Sequence, residues 1–186
     1  MSRDDVGPAA WFALLRDGVV RVIWGDLAIA ADLSDTPELR AAALAPLVPA
    51  RGVLSRRSAV WVHTGCLPPE RVEVLVAAGA RRADPHPGRV AAEATLAPSD
   101  VVRVGALRAT SVQRTGVDVA RMLPPDEAGP LVRALQGVGF DAAAALESLA
   151  DLRGQRGIRQ ARLVLEDLRG QARMTGSSAA LAPVMR

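Results

Sequence analysis

The chain of 186 residues contains no lysine and no tyrosine, and only 3% of its residues are aromatic. All 23 basic residues are therefore arginine. Without lysine the protein has no lysine Schiff base, no Ser–Lys dyad and no P-loop lysine. Without tyrosine it has no tyrosine nucleophile. Because aromatic side chains are scarce, the hydrophobic core must be built from Ala, Val and Leu.

Cysteine is almost missing, and long apolar runs are missing altogether. The single cysteine, Cys66, cannot form an internal disulfide, as is typical of proteins from a reducing compartment. No apolar run reaches the ~20 residues that cross a bilayer, and no charged segment leads into an apolar one as in a secretion signal. We therefore expect a cytoplasmic protein with no membrane partner. A net charge of +3 permits nucleic-acid binding without requiring it.

Helix and strand signals are present in mixed order, which predicts an α+β fold. Residues 7–17 carry Pro8 in the first turn and end before a glycine, as expected of a short helix. The apolar runs 19–24 and 27–33 flank a Gly-Asp pair and predict a β-hairpin. A helix followed by a hairpin is the closing half of a winged helix. Residues 1–33 are therefore interpreted as a partial winged-helix-like unit.

Residues 34–170 are predicted to form an α/β domain with a small mixed sheet and surrounding helices. One helix starts in the cap-rich segment Ser34–Glu38, and a second starts at Ser55. Strands are expected at 71–76 and 89–96, followed by a hairpin at 101–104 and 107–112. From Arg114 onward we expect four helices, with breaks near Pro124, 137–139 and Gly154. Residues 171–186 lack a long apolar face, so we expect a flexible tail there.

A first sequence block, Gly52–Gly65, reads as a helix start followed by a helix. Ser55 is expected to cap the first amides of this helix, whose buried face carries Ala59 and Val62 and which runs to about Val62. His63, close to that end, is expected to be a satisfied histidine. A catalytic alternative makes Ser55 or Ser58 a nucleophile and His63 its base, but no acid is paired with them and no nucleophile-elbow pattern occurs.

A second block, Arg114–Arg121, reads as another helix start. Thr115 and Asp118 stand three apart, which predicts a capping box, and Arg114 can pair with Asp118 one turn away. The apolar positions of this helix, which we expect to face the core, are Val117, Ala120 and Leu123. The alternative role for Asp118 is an acid in a phosphoryl-transfer or nuclease site, although no second carboxylate stands at a suitable spacing.

Three soft ligands, His63, Cys66 and His86, do not match any recognised zinc spacing. The sequence therefore predicts no metal, no cofactor and no catalytic residue. The candidates for contact are arginines, which can bind phosphate groups or lie on a solvated face. They form three sets: Arg16 and Arg21 beside the first hairpin, Arg51, Arg56 and Arg57 at the first block, and Arg156, Arg159 and Arg162 in a third block at 153–168.

Together these blocks resemble the C-terminal domain of AbiEi-type antitoxins from type IV toxin–antitoxin systems, especially the stand-alone actinobacterial forms. The residues that carry the resemblance are Ser55, Ser58, Ala59, His63 and Gly65, then Arg114, Thr115 and Asp118, and the Arg-Gly-rich entry to the last helix. The resemblance implies an α/β domain after a winged helix that is truncated here. It also implies a cytoplasmic transcriptional regulator with no enzymatic activity.

Two partners follow from this resemblance: DNA at the protein's own promoter, and a nucleotidyltransferase-like toxin that is countered without a tight complex. A second hypothesis is a protein-interaction module that has lost DNA binding together with the missing helices. A third hypothesis, an enzyme using Asp118 or His63, has the least support in the sequence.

Overall fold

A computed structural model describes residues 1–79, 84–152 and 154–179. The fold is α+β, as predicted, with a two-stranded sheet, a five-stranded mixed sheet and a helical C-terminal half. The helices are α1 Arg3–Val6, α2 Pro8–Arg16, α3 Pro37–Leu44, α4 Arg56–Thr64, α5 Val112–Met122, α6 Pro125–Gln136, α7 Ala142–Ser148 and α8 Ile158–Ala179. The strands are β1 Val20–Trp24, β2 Leu27–Ala30, β3 Val53–Leu54, β4 Val72–Ala77, β5 Arg89–Ala94, β6 Val101–Val104 and β7 Leu107–Thr110.

The N-terminal unit is a helix followed by a hairpin, as the sequence predicts. Pro8 occupies the first turn of α2, and β1 pairs with β2 in antiparallel register around Gly25, whose φ is +53°. Trp11 of α2 is buried against Val20 and Ala28 of the hairpin. Before α2, the helix content of the first 33 residues is limited to the four-residue α1.

The hairpin of this unit contacts the larger domain through a hydrogen bond and apolar packing. The indole N–H of Trp24 donates to the carbonyl of Pro69 over 2.7 Å. Ile23, Trp24 and Leu27 pack against the buried cluster that fills one face of the five-stranded sheet. One side of the hairpin is therefore occupied by this packing.

The five-stranded sheet has the order β5-β4-β3-β7-β6. Strand β3 lies at its centre, antiparallel to β4 and parallel to β7, although it contains two residues. The outer pairs are parallel β4–β5 and antiparallel β6–β7. Strand β4 is buried along nearly its whole length, which agrees with its run of valine and leucine.

The helical half is built around one apolar cluster to which α4, α5, α6, α7 and α8 contribute. The predicted breaks are confirmed, because the four described helices after β7 are separated at Leu123–Pro124, at 137–141, and at 149–152 and 154–157. Gly116 permits a close crossing of α5 by the ring of Phe140, since a Cβ at this position would lie 2.2 Å from that ring. The predicted core positions Val117, Ala120 and Leu123 are buried.

The predicted tail is the main error in the helical half. Helix α8 continues to Ala179, so residues 171–179 are helical rather than a flexible tail, and 180–186 lie outside the described residues. Once Ala161, Leu165 and Leu168 anchor the helix, good helix formers in the following Gln-Ala-Arg-Met run propagate it. Of the described helices, none is both long enough and apolar enough to cross a membrane.

Candidate nucleic-acid interface

Ser55 occupies the N-cap position of α4, but its side chain makes no capping hydrogen bond, so the predicted capping role is wrong. Its hydroxyl is buried and forms no hydrogen bond with a described residue. The carboxylate of Glu73 caps the helix instead, because it accepts from the backbone N–H of Arg57 over 2.7 Å. An anion at a helix N-terminus also interacts favourably with the helix dipole.

Ser58 and Glu73 hold α4 against β4. The hydroxyl of Ser58 is buried and accepts from the backbone N–H of Glu73 over 2.9 Å. Arg57 forms ion pairs with Glu73 and with Glu127 of α6. Burial opposes the charge on Arg57, but the two carboxylates outweigh burial and hold its pKa above the usual value. Arg57, a predicted nucleic-acid contact, therefore already has two carboxylate partners on the protein.

A cleft of about 760 Å³ lies beside this cluster and is bordered by α6 and the edge strand β5. Leu67 lines it with φ +57°, and Arg56, next to Arg57 in the chain, has φ +45°. A positive φ is uncommon for a side chain of this size. The serines of the first block do not line this cleft.

His63 is a satisfied histidine, as predicted, although its partner is a strand and not the end of its own helix. Its Nε2–H donates to the carbonyl of Thr110 over 2.8 Å. Burial lowers the pKa of His63, the bond to Thr110 opposes this change, and the charge of Arg40 adds to it. Gly65 ends the helix at φ +74° and leaves room for Arg40, which donates to the carbonyl of Val62.

The second block does not begin a helix, because α5 starts at Val112, two residues before Arg114, with Ser111 as its cap. The predicted capping box of Thr115 and Asp118 is therefore wrong. Thr115 lies in the second turn, where its hydroxyl is 2.6 Å from that of Thr110. The sequence placed the end of β7 at Val112, whereas the strand ends at Thr110 and frees Ser111 to cap the helix.

Asp118 lies between two arginines. Its carboxylate is 2.8 Å from Nε of Arg114, as predicted, and 3.8 Å from Nη1 of Arg121. Arg114 also pairs with Asp100 over 2.8 Å. Burial opposes the charge on Arg114, but Asp118 and Asp100 outweigh it and raise its pKa. Asp118 is 5% exposed, so this carboxylate is enclosed by its arginine partners.

The predicted arginines of the N-terminal unit already have partners on the protein. Arg16 pairs with Asp17 over 2.9 Å, and Arg21 donates to the carbonyl of Leu33. Both side chains still reach solvent, so a contact with phosphate would compete with these weak surface bonds.

The remaining predicted arginines differ from Arg57. Arg51, Arg156, Arg159 and Arg162 are exposed, Arg56 is half-buried, and none of these side chains forms an ion pair with a described residue. Arg159 and Arg162 lie one turn apart on α8, and Arg156 comes just before it; Arg153 lies outside the described residues.

Two further arginines were missed by the sequence analysis. Arg103 on β6 is directly opposite Arg108 on β7. The signal was present, because a two-residue turn at Gly105 and Ala106 fixes the register of a hairpin. The two residues stand five apart along the chain, and the pairing of the strands brings them together.

Among the described residues, no three His, Cys, Asp or Glu side chains come together as a metal site would require. Comparison with known protein families and with curated proteins finds no match to this chain.

Proposed function

We propose that the protein is an antitoxin-like transcriptional regulator of the type IV class, which binds DNA in the cytoplasm and has no catalytic role of its own. The observation that supports DNA binding is the contrast between two groups of arginines. The first group is buried or half-buried, and each of its members pairs with a carboxylate: Arg40, Arg57, Arg114 and Arg121. Arg51, Arg156, Arg159 and Arg162 are exposed, and none pairs with a described carboxylate.

This contrast matters because carboxylates of the fold neutralise the first group of arginines, whereas no described carboxylate pairs with the second group. Positive charge left at the surface without counterions attracts the phosphate backbone in a sequence-independent way and gives a salt-dependent affinity. Most groups that the enzyme hypotheses would need have structural roles: Ser58 accepts from Glu73, His63 donates to Thr110, and Asp118 is held by two arginines. The hydroxyl of Ser55 is buried. These contacts favour the non-catalytic proposal.

The test is binding of the purified protein to a labelled duplex from upstream of its own gene, followed by fluorescence anisotropy over a range of salt concentrations. We expect log affinity to fall linearly with log salt. Replacing Arg156, Arg159 and Arg162 together by Gln is expected to reduce that slope by about 3, because each arginine releases about one counterion.

A matched control is Glu166→Gln, which removes a negative charge from the same helix and is expected to leave the affinity unchanged or raise it. The melting temperature of each variant shows that it is folded. An absence of binding by the wild-type protein at low salt would refute the DNA-binding proposal.

The second candidate is a protein-interaction module, for which the nucleotidyltransferase-like toxin is the proposed partner. One observation favours it: Leu163 on α8 is 68% exposed and stands one turn from Arg159 and Glu166. An exposed apolar side chain with charged neighbours has the composition of an interface core beside its polar rim. Binding of a co-expressed nucleotidyltransferase that Leu163→Glu abolishes, combined with no DNA binding, would favour this candidate.

A further inference from the structure

The hairpin β6–β7 places two positive charges directly opposite each other. Arg103 pairs with Arg108, and the next pair towards the turn is Val104 with Leu107. The turn has two residues, and Gly105 has φ +58°. In such a hairpin the pair flanking the turn exchanges hydrogen bonds, so Arg103 and Arg108 form the next, non-hydrogen-bonded pair. The Cα atoms of such a pair are only about 4.5 Å apart.

Arg103 and Arg108 share one face of the hairpin, opposite the face that packs against the cluster of α3 and α4. Val102, Val104, Leu107 and Ala109 belong to the buried cluster on one side of the sheet. Side chains alternate along a strand, so Arg103 and Arg108 project from the opposite face. Arg103 is exposed and Arg108 is half-buried.

No described residue forms a hydrogen bond or an ion pair with the side chain of Arg103 or Arg108. The acid at the start of β6, Asp100, is bound by Arg114 and by the backbone N–H of Ala97. The acid nearest the turn is Glu38 of α3. Helix α3 contributes to the cluster on the other face of the sheet.

This arrangement is unfavourable for the isolated protein. Like charges directly opposite on an antiparallel pair are destabilising, and arginine is readily replaced by a neutral side chain on a surface strand. A bound anion between the two guanidinium groups would turn the repulsion into two charge-assisted contacts.

We propose that Arg103 and Arg108 form a phosphate-binding site for the backbone of nucleic acid, with Arg51 as a third contact at the same end of the sheet. Strand β3 is parallel to β7, and Leu54 is opposite Ala109. This register sets Val53 level with Arg108, and Arg51 precedes Val53 by two residues, at the end of the sheet where the hairpin turn lies. This proposal rests on the proposed DNA-binding function. It adds the hairpin β6–β7 to the first hairpin and α8 as an element that contacts DNA.

The chemistry of the site is recognition of phosphate by arginine. Each guanidinium offers a planar fork of donors that matches two phosphate oxygens. Such contacts position a protein on a duplex and carry no sequence information themselves. The site therefore contributes affinity and orientation.

The experiment compares the full chain with the double variant R103Q/R108Q in salt-dependent binding to the same duplex. We expect the slope of log affinity against log salt to fall by about 2. If the two affinities converge near 1 M salt, the loss at about 50 mM is on the order of 100-fold. The melting temperature should stay the same or rise, because the repulsion is removed.

Two further variants separate charge at this site from charge in general. R103K/R108K keeps both charges and is expected to retain the slope of the wild-type protein. R133Q/R169Q removes two exposed arginines from α6 and α8 and is expected to change the slope by less than R103Q/R108Q does.

The outcomes distinguish the two proposals. If the wild-type protein does not bind DNA, the proposed function fails and the hairpin site fails with it. If the wild-type protein binds and R103Q/R108Q keeps its slope, only the hairpin site is refuted. A loss for R133Q/R169Q equal to that for R103Q/R108Q would also refute a specific site.

Discussion

Replacing Asp118 by Asn removes one negative charge from the interior with little change in size. Arg114 keeps its second carboxylate, Asp100, whereas Arg121 would keep only neutral acceptors: the side chain of Gln155 and a backbone carbonyl. The side chain of Arg121 is 5% exposed, and burial already holds its pKa below the usual value although Asp118 opposes this change. The substitution therefore leaves a buried cation without a counterion.

Removing one partner of a buried ion pair costs about 3–5 kcal/mol. Because the Asn side chain still offers an oxygen to Arg114, we expect a loss of about 3 kcal/mol, at the lower end of that range. For a chain of this size each kcal/mol shifts the melting temperature by about 2–4 °C, so Asp118→Asn should lower it by about 6–12 °C.

Circular dichroism melting, supported by urea denaturation, measures this change. Asp32→Asn is a suitable control, because Asp32 is exposed and forms no side-chain bond with a described residue. A decrease below about 2 °C for Asp118→Asn would refute the structural role of this carboxylate. An activity lost at an unchanged melting temperature would do so as well, and would revive the enzyme hypothesis.

Four more substitutions test the packing and the buried polar groups. Gly116→Ala should destabilise the fold by about 2 kcal/mol in urea denaturation, because its methyl group overlaps the ring of Phe140, and unchanged stability would contradict this close contact. Ser58→Ala should cost about 1–2 kcal/mol since it leaves a buried N–H without an acceptor, whereas Ser55→Ala should be neutral or stabilising since its hydroxyl has no described partner; equal costs would disprove the assignment. Because the pKa of His63 is lowered in the fold, its stabilising effect is complete above about pH 6.5 and declines as the pH falls below that value. His63→Gln should remove this part of the pH dependence between pH 7.5 and 5, and an identical profile for both proteins would contradict it.

Most of the fold could be predicted from local signals. Pro8 and the glycine after α2, the Gly-containing turns of both hairpins and Pro124 mark the boundaries of the elements. Their effects on the backbone are local and hardly depend on the rest of the chain. The sheet order could not be predicted, because β3 is a two-residue strand with no pattern of its own.

The errors at Ser55 and Thr115 have a shared physical cause. Serine and threonine are common helix caps, but the fold decides which acceptor lies next to the free amides of the first turn. At α4 a carboxylate from β4, 16 residues away from Arg57 in the chain, replaces the serine. At α5 the strand ends two residues early, so Ser111 takes the role.

The candidate contact residues were only partly predictable. Sequence shows where arginines are, but it does not show which of them a distant acid neutralises. Arg57 is paired with Glu127, 70 residues away, and no local pattern indicates this pair. The opposed pair of Arg103 and Arg108, by contrast, follows from the register of a two-residue turn and could be read in advance.

Because β3 has two residues, the two sides of the five-stranded sheet are joined by few backbone pairs. Hairpin β6–β7 reaches the rest of the sheet through one bridge, Leu54 to Ala109, while its C-terminal end continues into α5, where the hydroxyls of Thr110 and Thr115 meet. Of the strand pairs in this sheet, β3–β7 therefore has the fewest paired residues. Hydrogen exchange should therefore show separate opening free energies for the hairpin β6–β7 and for the strands β3, β4 and β5. A force applied at the hairpin turn would reach the helical half through the β7–α5 junction.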